Sequence, residues 1–237
     1  MMSIKMVLFD LDGTLLPMDQ DIFVKTYFKG LAEKLAPYGY EPKGLINAIW
    51  SGTTAMIKNT GKKVNEEVFW DDFASHYGEK VREDLPLFDE FYQNNFDSVK
   101  EVCGYNPQAA EVVKYLKKSG IRVSLATNPI FPAIATQKRI RWAGLEPEEF
   151  ELYTTYENCS YCKPNPEYYR EIIKQLGVKP EECLMVGNDV GDDMVAETLG
   201  MKVFLLTDCL INNGEKDISG YPQGDFTQLF RFIDEVL

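Results

Sequence analysis

The sequence predicts an α/β protein, a doubly wound parallel sheet whose first strand is followed by an all-helical insertion. Three observations lead there. Short apolar runs at 5–9, 121–126, 151–155, 183–187 and 202–206 alternate with helical patterns at 107–119, 132–143, 165–177 and 190–200, and such β–α alternation builds a parallel sheet covered on both faces. The stretch from about 17 to 102 holds helical stripes and no convincing strand. The chain is also long enough, at 237 residues with 45% hydrophobic content, to bury a substantial core or two unequal ones.

The first strand ends in Val7-Leu8-Phe9-Asp10-Leu11-Asp12-Gly13. Alternate residues of an extended chain share a side, so Asp10 and Asp12 can face one bound group while Leu11 faces the core. Gly13 admits the sharp turn that follows. In the insertion, Phe23, Tyr27, Leu31 and Leu35 form one stripe, Leu45, Ile46, Ile49, Trp50 and Thr53 a second, and Val68, Phe69, Phe73 and Tyr77 a third, the pattern of a small helical bundle. Most of its aromatics are expected to fill the bundle's own core. Asn106-Pro107 caps and opens the next helix, and Gly120 closes it. The second strand ends at Thr127-Asn128, and Lys163-Pro164-Asn165-Pro166 leads into a helix. Cys183 to Gly187 forms a strand that delivers the acidic loop Asn188-Asp189-Val190-Gly191-Asp192-Asp193. A further strand, a polar loop at 212–217 and a final helix complete the chain. Asp10, Thr127 and Asp189 thus fall at carboxyl ends of strands, with Lys163 in the loop after another, and open α/β sheets bind ligands along that edge.

These residue types suit phosphoryl chemistry. A carboxylate with a reference pKa near ~3.9 is ionised at neutral pH, so Asp10 can attack phosphorus without a base and form an aspartyl-phosphate. Asp12 is then free for acid–base work. Carboxylates gathered around an anionic phosphate would repel it without a cation, and Mg²⁺ is the hard ion that bridges the two. The single histidine, His76, restricts histidine-based nucleophile schemes and reads as a surface residue. A net charge of −12 argues against a nucleic acid partner. No apolar run approaches the ~18 residues of a membrane span, and the start runs straight into the first strand without a signal peptide, so a cytoplasmic location is expected. Five cysteines, an odd number, point to reduced thiols. Cys159-Ser160-Tyr161-Cys162 has a suggestive spacing, but zinc is not expected without a second pair.

The string Asp-Leu-Asp-Gly-Thr-Leu-Leu at 10–16 closely resembles the first signature of the haloacid dehalogenase-like (HAD) hydrolase superfamily. The strand ending at Thr127, the Lys163-Pro-Asn-Pro segment and the acidic loop at 188–193 resemble its second, third and fourth signatures, in the family's order. The resemblance implies Asp10 as nucleophile and Asp12 as general acid/base, with Thr127, Asn128 and Lys163 on the phosphoryl group. It also implies Mg²⁺ held by Asp10, Asp12, Asp189 and Asp193. Asp193 is preferred to Asp192 because Met194, Ala196 and Leu199 continue its helix register, leaving Asp192 as a first-turn dipole residue. The implied architecture is a Rossmann-like core, residues 1–16 and 103–237, with a helical cap at 17–102. A lid of that bulk admits small metabolites, so the expected activity is hydrolysis of a small phosphomonoester such as a sugar phosphate or, with a slight aromatic lean, a nucleoside monophosphate. A sugar phosphomutase of the same fold and a catalytically silent binding or regulatory protein are the alternatives. A dehalogenase is disfavoured, since those relatives lack the second Asp.

Overall fold

The computed structural model describes residues 3–237. Five strands, β1 (Met6–Phe9), β2 (Arg122–Leu125), β3 (Cys183–Gly187), β4 (Lys202–Leu206) and β5 (Gln223–Gly224), form one parallel sheet in the order β2-β1-β3-β4-β5. Register matters most for function. Phe9 lies opposite both Leu125 and Val186, and Asp10 N donates to Val186 O at 2.9 Å. The residues that follow these three strands therefore emerge together at one edge.

The sheet is buried on both faces. Val7 and Phe9 join the core built with Val112, Val113 and Leu116 of a helix at Pro107–Lys118 and with Leu229 and Ile233 of the last helix, Phe226–Val236. Met6 and Leu8 point the other way, into a core with Tyr168, Tyr169 and Ile172 of the helix Pro166–Leu176. The two-residue alternation within β1 thus supplies both layers.

Between Pro17 and Cys103 lie four α-helices, α1 (Gln20–Leu35), α2 (Pro42–Ile57), α3 (Asn65–Tyr77) and α4 (Leu85–Asn94), with 3₁₀ turns and no strand pairing among themselves. The helices of the remaining chain are accordingly α5 (Pro107–Lys118), α6 (Ala133–Trp142), α7 (Pro166–Leu176) and α8 (Phe226–Val236). Asp19 caps α1 by accepting Ile22 N, and Phe23, Tyr27, Leu31 and Leu35 are buried as the spacing predicts. In α3 the inward face is Trp70, Phe73 and Ala74 rather than Val68. The two strands of chain joining these helices to the sheet run side by side, with Gly104 N donating to Pro17 O at 2.7 Å. The start of α3 rests on the segment before α7: Asn65 N donates to Cys159 O and Glu66 N to Tyr156 O, both at 2.8 Å.

Three segments differ from the sequence expectation. Residues 151–155 make one parallel bridge, Tyr153 to Leu125, and no strand. The Asn158 side chain binds Thr155 N and Tyr153 O there and turns the chain away from the ladder. Residues 190–200 form a turn and a 3₁₀ helix, Met194–Leu199, where an α-helix is expected. Asp189 Oδ1 accepts Gly191 N and Asp192 N at 2.7 and 2.9 Å, a local closure that competes with helical bonding. β5, two residues including a glycine, carries no apolar run that could announce it. Among the described residues no helix is long and apolar enough to cross a membrane, and all five cysteines are free thiols. His76 sits half-exposed beside Asp72, as read.

Candidate active site

The sheet edge brings Asp10, Asp12, Thr127, Asn128, Lys163, Asp189 and Asp193 into one pocket of about 160 Å³, which Asp192 and Asn188 also line. Asp10 follows β1 and is buried. Its Oδ1 accepts Lys163 Nζ at 2.8 Å and its Oδ2 faces Thr14 Oγ1 at 3.1 Å, so the carboxylate is fixed from two sides. Gly13 makes the turn with φ +84°, and a Cβ there would lie 2.3 Å from Asn188 Nδ2. Both the backbone angle and the space require glycine.

Lys163 reaches in from the loop before α7 and is 2% exposed. It also donates to Asp193 Oδ1 at 2.6 Å. Burial alone would lower the lysine pKa, but Asp10 and Asp193 together hold it well above its ordinary value. It stays a cation. Asp193 Oδ2 accepts Asp189 N at 2.9 Å, so both Asp193 oxygens are engaged. Burial pushes that carboxyl up against the opposing pull of Lys163. Gly187 leaves room for it: a Cβ would stand 2.1 Å from Asp193 Oδ2.

Asp12 faces the same pocket as Asp10, but its Oδ2 is paired with Arg139 Nη1 of α6 while its Oδ1 is buried without a partner. Burial raises its pKa, more than the neighbouring Arg139 lowers it. A carboxyl held above its ordinary range suits a group that must carry a proton. Arg139 is wholly buried, sits 4.5 Å over the Phe131 ring and reaches Thr136 Oγ1 at 3.3 Å. The sequence reading missed it. The available signal was register: Ala135, Arg139 and Trp142 share the buried face of α6, so a charged residue there needs a buried partner.

Thr127 is buried at the end of β2, its carbonyl held by Thr154 Oγ1 and Tyr168 OH at 2.6 and 2.7 Å. Asn128 Nδ2 faces Asp192 Oδ2 at 3.4 Å and its Oδ1 has no partner. Asp192 does not occupy the first turn of an α-helix; it lines the pocket, and burial lifts its pKa to about 6.

The donor set fits Mg²⁺ by chemistry: Asp10 and Asp189 present hard carboxylate oxygens to one pocket, and the orphaned Asp12 Oδ1 beside them is the one Asp12 oxygen free to carry a proton. Among the described residues they are not drawn together as a preassembled cluster, because Asp10 is held by Lys163 and Asp12 by Arg139.

Residues 4–200 match the family model described as haloacid dehalogenase-like hydrolase. The chain belongs to this family. Pyrophosphatase PpaX of Bacillus cereus is 27% identical over 201 residues, 85% of this chain and 82% of that protein. In fold, this hydrolase is similar to a HAD phosphatase from Thermococcus onnurineus, with 18% identity, a TM-score of 0.59 and coverage of 97% and 98% of the two chains. It is also similar in fold to a 2-haloacid dehalogenase from Pseudomonas syringae, with 20% identity, a TM-score of 0.64 and coverage of 98% and 99%. At that identity the two structures speak for the fold alone. This hydrolase therefore shares its fold with those proteins, and its reaction has to be argued from the pocket.

Proposed function

We propose that this hydrolase is a Mg²⁺-dependent phosphatase of small phosphomonoesters that works through an aspartyl-phosphate on Asp10. The observation that carries the reading is the setting of Asp10: an ionisable oxygen at a strand end, fixed by Lys163 at 2.8 Å, with a second carboxyl, Asp12, on the same side. Asp10 attacks phosphorus while Asp12 passes a proton to the departing alkoxide. Asp12 then takes a proton from the water that cleaves the aspartyl ester, regenerating both groups. Lys163, with Thr127 and Asn128, holds phosphoryl oxygens and spreads their charge. Asp193 keeps Lys163 in place. Asp10 and Asp189 would hold Mg²⁺, which would offset the charge of the phosphoryl group beside these carboxylates, while the Asp12 carboxyl keeps its free oxygen for the proton.

We take residues 17–102 as a cap and residues 1–16 with 103–237 as the catalytic core. Closure of α1–α4 over the pocket excludes water and bulky phosphoproteins, and the reaction takes place in the cytoplasm. The PpaX relatives are named for pyrophosphate, whose cleavage needs the same attack on phosphorus with a different leaving group. The test is rapid-quench trapping of an acid-stable phosphoenzyme from a radiolabelled phosphomonoester. Asp10→Asn should lose the labelled species and lower kcat by about 10³-fold or more, roughly 4 kcal/mol of barrier. Near-normal turnover by that variant contradicts the mechanism.

A further inference from the structure

Beside the catalytic pocket lies a second cavity of about 90 Å³, enclosed by α1–α4 and the loop after β2. The two share Val24, Ile130 and Phe131 as a common wall. Its lining is carbon. Phe28, Ile49, Phe69 and Phe88 contribute side chains without polar atoms. The hydroxyls in the wall are largely spent, Tyr27 and Tyr92 on each other at 2.7 Å and Thr53 on Ile49 O at 2.9 Å. Among the described residues no lysine or arginine lines this cavity, and its one charged residue is the exposed carboxylate Asp89. Two polar groups are left over: Trp70 Nε1, of a residue 5% exposed, has no acceptor within bonding geometry, and the Tyr156 hydroxyl lies near it in the same wall.

We propose that this cavity receives the leaving group, and that the leaving group is an uncharged, mainly apolar alcohol of about one ring bearing a hydrogen-bond acceptor for Trp70. The proposal rests on the phosphatase reading and narrows it. A second phosphate or a carboxylate on the leaving group would enter this cavity without a cation to meet it and beside Asp89, and a buried charge without a partner is strongly disfavoured. The buried cations of the catalytic pocket are committed already, Lys163 to Asp10 and Asp193 and Arg139 to Asp12. A sugar fares little better. Its hydroxyls would face aromatic carbon with only Trp70 Nε1 and the Tyr156 hydroxyl to meet them, and each unpaired hydroxyl opposes binding. A nucleoside is too large: an apolar cavity of roughly 150 Å³ takes up benzene, so a single ring already needs these 90 Å³ together with part of the catalytic pocket at the shared wall.

The experiment is a kcat/KM panel on the full chain with Mg²⁺, using benzyl phosphate, 4-methoxybenzyl phosphate, pyrophosphate, 2-phosphoglycolate, glucose 6-phosphate and AMP. Acetyl phosphate, whose leaving group leaves the cavity empty, reports the core chemistry. The two benzyl esters should exceed the four charged or polyhydroxylated substrates by about 30-fold or more. Trp70→Phe should remove the advantage of the methoxy ester over benzyl phosphate. Asp89→Arg should raise the phosphoglycolate-to-benzyl ratio about tenfold. Equal or better turnover of any of the four by the wild-type protein overturns the proposal and leaves the phosphatase reading standing. If acetyl phosphate and all the esters release no phosphate, both fall.

Discussion

Arg139→Met would test the buried pair that holds the proposed acid/base. The methionine keeps most of the packed stem but removes a wholly buried guanidinium from Asp12 and from the face of Phe131. Removing one partner of a buried ion pair typically costs about 3–5 kcal/mol, because the other charge stays behind unpaired. Asp12 is 20% exposed at its side chain, toward the pocket, so water can reach it and the lower end, about 3 kcal/mol, applies. For a chain of this size that is a fall in Tm of roughly 6–12 °C. Urea unfolding of wild type, Arg139→Met, Asp12→Asn and the double variant closes the cycle. The double variant removes both charges, so it should be more stable than the sum of the single effects by about 2 kcal/mol or more. In activity, kcat should fall about 100-fold in Arg139→Met, since Asp12 is no longer aimed. Additive effects within about 0.5 kcal/mol, with unchanged kcat, would refute the view that Arg139 positions Asp12.

Gly187→Ala places a methyl group where Asp193 Oδ2 now sits, 2.1 Å away, and should displace Asp193 from Lys163; phosphatase assays should show a loss of about 100-fold or more, and unaltered activity would mean the loop absorbs the methyl. Chelation should abolish turnover and Mg²⁺ restore it, with Ca²⁺ a poor substitute; in Mg²⁺ titrations Asp189→Ala should raise the half-saturating concentration more than Asp192→Ala, and the reverse order would reassign the acidic loop. Burial, acting against Lys163, lifts Asp192 from 3.8 to about 6, so between those pH values the folded state keeps a proton that the unfolded chain releases. Stability then falls as pH rises through that window, by an amount on the order of 2–3 kcal/mol, and metal-free Asp192→Asn should gain on wild type from pH 4 to pH 6.5; a constant difference in unfolding free energy would contradict the shift.

Elements whose causes are local can be read from the residues alone. An apolar run closed by Asp10, Asp12 and Gly13, a strand ending at Thr127, and a lysine before two prolines are legible because strand alternation, turn chemistry and capping act over a few residues. The family resemblance of those strings supplied their expected roles, and the spacing of Phe23, Tyr27, Leu31 and Leu35 marks α1 by itself. Tertiary structure decided what depends on distant atoms. Residues 151–155 bond to β2 through Glu151 N and Thr154 N but stop short of a strand where Asn158 turns them, and 190–200 lacks an α-helix because the Asp189 carboxylate binds the next amides. Arg139 became part of the site only when α6 packed it against Asp12, 127 residues away in sequence. The insertion's aromatics gave one hydrophobic pattern for two uses. Periodicity records which side chains leave water, but not whether they meet one another or surround a cavity, since that depends on how α1–α4 close against the loop after β2.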